Sequence, residues 1–262
     1  MANMEFCLQN YLDTTTLFTV STNTDTVDEI FDRFTNKPYQ TSGYTGATTA
    51  TILVSFGLTT SISRIFIQGH NMSQFRVWQT ADTTTNYLTL TGGAATTTSN
   101  WSTNSETSHF LQFSTIQATG IGITMVQAIT TSSEKRIGEL VISDLIYRFV
   151  KNPSGKGYDP QIHNKQIVHQ MSDGGVVTYD FADKYRAVIK DDDITLTERH
   201  DIKRLLYDRH LPAYFLPHPT GTSWDGQAYD TNWVGGFDGF KPNNNNLDAG
   251  WEMNFRVEET PA

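Results

Sequence analysis

The stretch ISRIFIQGHNMSQFRVW, Ile62–Trp78, decides the fold class of this chain. In its first half Ile65 and Ile67 would lie on one side of an extended chain and Arg64 on the other, which is the two-residue period of a β-strand. The segment Gly69-His70-Asn71 interrupts this pattern with residues that tolerate positive φ, and Phe75 to Trp78 resume it. The stretch therefore predicts two strands joined by a short turn, as in a β-hairpin.

Short apolar runs of the same kind fill the first half of the chain, separated by Thr, Ser, Asn and Gly. Several short strands at close spacing with polar turns predict an all-β sandwich. A helix is predicted over Thr26–Phe34, where Val27 and Ile30 share a face and acidic residues occupy the first turn. The other predicted strands are Leu17–Val20, Ala50–Phe56, Asn86–Leu90, Phe110–Phe113, Ile121–Ile129 and Glu139–Arg148.

Length and composition limit the possible classes of protein. At 262 residues the chain can form two domains, each with its own core. With 37% apolar residues and no apolar window of about 20, a membrane span is not expected. The N-terminus has neither the basic region nor the apolar region of a secretory signal, so such a signal is not expected either. The single cysteine, Cys7, is expected to be a buried, inert thiol. The net charge of -9 disfavours a nucleic-acid partner, because binding to a phosphate backbone requires a basic excess.

The second half begins with a change in composition. Residues 151–165 start with a polar stretch that contains two prolines and two glycines, and they are predicted to be a linker. A hairpin follows from Gln166, and Thr195 and Glu198 form a capping box that predicts a helix over about 196–209. The alternation of apolar and polar residues from Gly250 to Glu259 predicts a closing strand.

Four segments of the first half resemble the galactose-binding-like, or discoidin-type, β-sandwich. They are Asp32–Tyr39, Ala50–Gly57, Ile62–Asn71 and Glu134–Ser143. The resemblance implies a jelly-roll sandwich over residues 1–150, with ligands bound by loops at one end and with His70 as a hydrogen-bonded element of the frame. For Trp78 and Trp101 the alternative to a glycan contact is a role as core or interface anchors. The residues that the resemblance makes possible glycan contacts are Tyr39, Tyr44, Trp101 and His109.

The order of elements after Gln166 resembles the minor tail and distal tail proteins of long-tailed phages. The resemblance implies a small β-domain with one packed helix over residues 166–262 that forms a homo-oligomeric ring. It also implies other tail and baseplate proteins as partners, possible contact with a host surface glycan, and a virion tail tip assembled in the host cytoplasm. The aromatic residues predicted to form the assembly interface are Trp224, Trp233, Phe237 and Trp251.

No motif for catalysis, for a cofactor or for a metal site stands out in the sequence. The histidines lack the spacing of zinc ligands, and the nucleophile-elbow and phosphate-loop motifs are absent. These observations predict a mainly β structural protein of a phage tail tip that is not an enzyme and needs no cofactor. Two alternatives stay open: a free-standing carbohydrate-binding module or lectin, and a glycan-degrading enzyme.

Overall fold

The computed structural model shows a mainly β chain, which confirms the predicted fold class. Its described residues divide into two compact units, one mainly within Met1–Arg148 and the other within Phe149–Phe215 and Tyr229–Pro261. The structure describes residues 4–7, 10–12, 16–32, 37–79, 81, 88, 108–149, 158–163, 166–170, 176–180, 184–207, 213–216, 229–233, 239–242 and 251–259.

Unit 1 is built around a five-stranded antiparallel sheet with the order β2-β4-β6-β5, in which β8 also pairs with β4. Its inner face carries the Ile, Val, Leu, Met and Phe side chains of the core. Two short pairs, β1 with β9 and β3 with β7, complete the described part. The strands are β1 (Glu5–Cys7), β2 (Leu17–Val20), β3 (Tyr39–Gln40), β4 (Ala50–Gln68), β5 (Met72–Gln79), β6 (His109–Ala128), β7 (Arg136–Ile137), β8 (Glu139–Ser143) and β9 (Leu145–Arg148).

The predicted hairpin over Ile62–Trp78 is wrong, although both of its strands exist. Strand β5 pairs with β6 and not with β4. From Arg64 to Ile67, β4 already has β6 on one edge and β8 on the other, so neither edge is open to β5. The turn at Gly69-His70-Asn71 therefore carries the chain across the sheet to the far side of β6.

Two pairs of predicted strands are continuous in the structure. Phe110–Phe113 and Ile121–Ile129 are joined in β6, which ends at Ala128. Ala50–Phe56 and Ile62–Gln68 both belong to β4, and a register shift between Ser55 and Thr60 separates its two halves. Within that bulge Gly57 has φ +72°, a conformation that glycine adopts without strain, and Leu58 is 78% exposed. A bulge lets a long strand bend around the core without losing its pairing partner.

A buried ion pair links Glu5 of β1 to Arg64 of β4. Glu5 accepts hydrogen bonds from the Nε of Arg64 at 2.7 Å and from the Nε of Arg148 at 2.5 Å. Glu5 and Arg64 are both almost fully buried, so the Arg64 charge depends on Glu5 for its neutralisation, while Glu5 is paired with both arginines. Cys7 is also buried and unpaired, as predicted, and burial raises the pKa of its thiol well above the ordinary value.

The helix predicted over Thr26–Phe34 is instead a 3-10 helix, Thr24–Ile30. A 3-10 helix has three residues per turn, which places Val27 and Ile30 in line on one side. Ile30 is buried in the core, and the ring of Phe31 stacks on that of Phe18 with centroids 5.5 Å apart. The sequence pattern predicts the apolar positions correctly. Val27 and Ile30 are three residues apart, however, and this spacing suits the 3-10 helix better than the α-helix.

Unit 2 contains an antiparallel sheet with the order β10-β13-β17-β15-β14, with β16 beside β17. The predicted hairpin from Gln166 is confirmed by the pairing of β11 with β12. The elements are β10 (Tyr158–His163), β11 (Gln166–Gln170), β12 (Val176–Asp180), β13 (Lys184–Ile194), α1 (Leu196–Tyr207), β14 (Ala213–Leu216), β15 (Tyr229–Trp233), β16 (Gly239–Pro242) and β17 (Trp251–Glu259).

The capping box of α1 is confirmed by its hydrogen bonds. The backbone N–H of Thr195 donates to Glu198 Oε2 at 2.9 Å, and the N–H of Glu198 donates to Thr195 Oγ1 at 3.2 Å. Each side chain thus satisfies a backbone donor that the first turn of a helix leaves open.

The predicted linker over 151–165 is wrong for the residues of β10. Tyr158–His163 pairs in full with β13 and forms the edge of its sheet. Pro160 lies within this strand, which an edge tolerates because one side of the strand needs no donor. Residues 151–157 lie outside the described residues.

No helix among the described residues is both long and apolar enough to cross a membrane.

Replacing Gly122 with Ala tests the packing of the sheet of unit 1. A Cβ at this position would lie 2.1 Å from the ring of Trp78, which is buried and whose Nε1 donates to Thr124 Oγ1 at 2.9 Å. We expect a loss of roughly 2 kcal/mol in the free energy of unfolding, because an overpacked core must shift the ring. Urea denaturation measures it, with the exposed Ser114→Ala as the control. Equal stability of the two variants would contradict this packing.

Candidate functional site

Tyr39 is a core residue, so the prediction that its ring contacts a glycan is wrong. Its side chain is 0% exposed, and its hydroxyl donates to the carbonyl of Thr22 at 2.7 Å. Burial, with a smaller effect of Tyr44, raises its pKa to about 12. The resemblance places Tyr39 on a binding loop, but the ring turns inward and anchors that loop to the core.

His109 is also unavailable for the predicted glycan contact. It is 8% exposed, and its Nδ1 lies 2.7 Å from Nε2 of His70. Tyr44 is half-buried, with its hydroxyl 3.4 Å from the carbonyl oxygen of Ser21, and it remains a predicted contact.

The predicted assembly interface stays a prediction. The Arg199 guanidinium lies over the ring of Trp251 at 3.8 Å, a contact within unit 2. Trp233 belongs to β15. Trp224 and Phe237, together with the predicted glycan contact Trp101, lie outside the described residues.

An open depression of about 410 Å³ lies on unit 1, where the end of β6, the start of β7 and strand β3 meet. We call it the polar depression, because its lining is mostly amide, hydroxyl and charged groups. Gln40 and Arg136 are cross-strand partners in the β3–β7 pair, and both side chains are exposed. The lining residues are Gln40, Asn71, Ile129, Thr130, Ser133, Glu134 and Arg136.

The register of β8 explains why these residues meet. Gln68, the last residue of β4, pairs with Glu139, the first residue of β8, and the N–H of Gly138 donates to the carbonyl of Gln68. Because the two strands are antiparallel, the residues just before β8 return beside the turn that follows β4. Asn71 and Glu134 therefore come together although they are far apart in sequence.

Asn71 connects the two segments through both ends of its amide. Its Nδ2 donates to the carbonyl of Glu134 at 2.7 Å, and its Oδ1 accepts the N–H of Arg136 at 2.9 Å. Its own carbonyl accepts the N–H of Ile129 at 2.7 Å. The Asn71 side chain thereby fixes the backbone on either side of Lys135.

The carboxylate of Glu134 holds the loop of residues 41–49. It accepts hydrogen bonds from the Thr41 hydroxyl at 2.8 Å, from the N–H of Gly43 at 2.8 Å and from the N–H of Tyr44 at 3.0 Å. Desolvation acts to raise its pKa, but these hydrogen bonds and the charge of Lys135 outweigh it, and the pKa is lowered. Gly43 has φ +82°, which lets its N–H turn towards the carboxylate.

Lys135 holds the same loop from inside. It is 0% exposed, and its Nζ donates to the carbonyls of Tyr44 at 2.5 Å, Thr48 at 2.6 Å and Gly46 at 3.3 Å. These three acceptors match the three donors of an ammonium group. Burial lowers the pKa of Lys135, and the charge of Glu134 opposes that effect. We call Glu134 and Lys135 together the loop clamp.

His70 occupies the turn beside the polar depression; it is buried, and its ring is hydrogen-bonded as predicted. Its Nδ1 accepts the N–H of Met72 at 3.1 Å, so its proton sits on Nε2 and is donated to Nδ1 of His109. Phe75 packs its ring edge-on against both imidazoles. Burial, with a smaller effect of His109, lowers the pKa of His70 to about 3, and burial lowers that of His109 to about 4.

No metal site is formed by the described residues, among which no three His, Cys, Asp or Glu side chains group around a common point.

The sequence contained one signal for the polar depression. Between Asp82 and Glu134, Glu106 is the sole Asp, Glu, Lys or Arg, so the run Glu134-Lys135-Arg136 stands out against a nearly uncharged background. Within the resemblance that run counts only as a frame motif. Gln40 and Ile129 had no comparable signal.

No family model and no curated protein matches this chain. Solved structures that resemble it include chitosan-binding module 1 of a chitosanase/glucanase from Paenibacillus sp. IK-5. The sequence identity is 14% and the TM-score is 0.38, and the match covers 52% of this chain and 95% of that chain. Module 2 of that enzyme, in complex with chitotriose, has 13% identity, coverage of 52% and 96%, and a TM-score of 0.37. A fucosidase from Ruminococcus gnavus in complex with fucose has 16% identity, coverage of 52% and 26%, and a TM-score of 0.40.

These structural neighbours include carbohydrate-binding modules, and each of the three overlaps about half of this chain. None of the comparisons supports a phage tail or baseplate protein. At such identities and TM-scores the neighbours assign no ligand to this chain.

Replacing Lys135 with Met tests the loop clamp. The change keeps the length of the side chain but leaves the carbonyls of Tyr44, Gly46 and Thr48 without their donor. We expect a loss of about 2 kcal/mol in the free energy of unfolding, because buried acceptors lose their partner. Hydrogen exchange should also quicken at the N–H groups of Thr41 and Gly46. Lys37→Met, at an exposed position, is the control, and unchanged exchange in Lys135→Met would contradict the clamp.

The buried histidine pair predicts a loss of stability in acid. The folded-state pKa values lie below the ordinary 6.5, so the folded protein binds fewer protons than the unfolded chain at pH values between them. Stability is therefore retained above pH 6.5 and falls as the pH drops towards 4. Protonating Nδ1 of either ring would also remove the acceptor of one hydrogen bond.

His109→Gln removes one of these protonation sites and keeps a polar side chain. Between pH 7 and 5 the free energy of unfolding of the variant should fall by roughly 2 kcal/mol less than that of the wild type. Chemical denaturation at both pH values measures the difference. His200→Gln, at an exposed position of α1, is the matched control, and equal losses in His109→Gln and wild type would contradict the predicted role of the pair.

Proposed function

We propose that unit 1 is a carbohydrate-binding domain and that its ligand site is the polar depression. One observation carries the proposal: exposed amide, guanidinium and hydroxyl groups surround an exposed apolar side chain in one depression. Ile129 is 42% exposed, and Gln40, Thr130 and Arg136 are exposed beside it. A sugar presents hydroxyl groups at its rim and C–H groups on its ring face, so it needs this combination.

The size of the polar depression agrees with such a ligand. Its volume of about 410 Å³ lies within the range of roughly 300–1,000 Å³ that small-molecule sites occupy. The backbone around it is already fixed by Asn71 and by the loop clamp. A preorganised site loses less conformational entropy on binding, which favours recognition of a weakly bound polar ligand.

The polar depression is a poor site for glycoside hydrolysis. Such chemistry uses two carboxyl groups across the scissile bond. Among the described lining residues Glu134 is the one carboxylate, and its two oxygens already accept three hydrogen bonds from the loop of residues 41–49. Binding without catalysis is therefore the function that these groups support best.

The phage tail-tip role stays a prediction. It rests on the order of the elements in unit 2, where the structure has the hairpin, the capped helix and the closing strand β17. These elements are secondary structure and carry no information on ring assembly, tail partners or a virion location. A molecular mass in solution that corresponds to a monomer at micromolar concentration would contradict the ring.

Replacing Gln40 with Ala tests the carbohydrate site. The full-length protein is first screened on a glycan array, and affinity for the retained glycan is then measured by titration calorimetry. We expect Gln40→Ala to weaken binding about fivefold, because it removes one or two hydrogen bonds to hydroxyl groups. Ser114→Ala, on the exposed face of β6, should bind as the wild type does.

Two outcomes would contradict this assignment. Absence of any retained glycan would overturn the carbohydrate-binding function. Full binding by Gln40→Ala together with lost binding by Trp101→Ala or Tyr44→Ala would place the site on the loops first predicted and away from the polar depression.

A further inference from the structure

We propose that the polar depression selects a glycan whose sugar carries a carboxylate, such as a uronic or sialic acid, and that Arg136 is the residue that recognises it. This inference rests on the proposed function and names the ligand class of the same site. It comes from the balance of charges around the depression and from the position of Arg136 opposite Gln40.

The charges in the polar depression do not cancel. Among the described residues Arg136 forms no ion pair, and its guanidinium is exposed in the lining. Glu134, the nearby acid, has its carboxylate held by Thr41, Gly43 and Tyr44, with Lys135 as the adjacent opposite charge. The loop clamp is thus neutral as a pair, and Arg136 leaves one positive charge in a chain whose net charge is -9.

The backbone of Arg136 is fixed while its side chain is available. Its N–H donates to Oδ1 of Asn71 at 2.9 Å, and it pairs with Gln40 across the β3–β7 ladder. Cross-strand partners have neighbouring side chains on one face of a sheet. A guanidinium can bind a carboxylate through two parallel hydrogen bonds. A primary amide beside it can bind an adjacent hydroxyl group at the same time.

The remaining lining residues suit the rest of such a sugar. Ile129 offers an apolar surface for one face of the ring, and the hydroxyls of Thr130 and Ser133 lie in the same depression. A neutral sugar would satisfy these groups equally well but would leave the Arg136 charge without a partner. The guanidinium is therefore the group that discriminates between the two ligand classes.

The test compares acidic glycans with neutral forms of the same polymers. Oligosaccharides of polygalacturonate and of hyaluronan, and sialyllactose, are each titrated into the full-length protein beside their methyl esters, which keep the shape and lose the charge. We expect binding of at least one acid, about tenfold weaker binding of its ester, and weaker binding of the acid as NaCl is raised. Arg136→Gln should bind the acid and the ester equally.

Lys190→Gln, exposed in unit 2, is the matched control, because it changes the net charge of the chain by the same amount. It should keep the preference for the acid. If acid and ester bind equally and Gln40→Ala still weakens both, the carbohydrate site stands and the carboxylate preference is overturned. Retention of the preference in Arg136→Gln, or equal binding of a sulfated galactan, would also overturn it. If no glycan binds, the proposed function itself fails.

Discussion

The pairing of β4 with three other strands is the constraint on which unit 1 depends. Strand β4 has β6 along one edge and, on the other edge, β2 beside its first half and β8 beside its second half. No edge of β4 is left for the strand that follows it, so the chain crosses to the outer edge of β6. The same pairing brings the residues before β8 back to the turn after β4, and this return creates the polar depression.

Opposite charges then give the surrounding loop its shape. Residues 41–49 contain no strand or helix, so their backbone groups need partners from elsewhere. Glu134 accepts from backbone N–H groups of this loop on one side, and Lys135 donates to its carbonyls on the other. These two adjacent residues of opposite charge thus bind different backbone groups of the same loop. Arg136, the next residue, points outward again and remains available to a ligand.

Sequence reasoning about the site failed where it relied on residue type. Tyr39 and His109 were chosen because aromatic and imidazole rings often bind sugars, yet both are buried and hydrogen-bonded within the fold. The polar residues of the depression are of ordinary types, and Gln40 has no sequence neighbour that marks it. Their function follows from proximity across strands, which depends on strand order. Strand order was itself mispredicted, because alternation of apolar residues identifies a strand but not its partner.

The local structure and the fold class follow from signals between residues that are close in the sequence. Alternating apolar residues indicated β2, the halves of β4, and β17, and the capping box indicated the start of α1, because these signals act between residues close in the chain. Tertiary structure alone decided that Arg64 is buried against Glu5, that Lys135 is an internal residue and that Arg136 faces solvent. Charged side chains follow the partners that folding brings to them, and those partners lie up to 143 residues away in the chain.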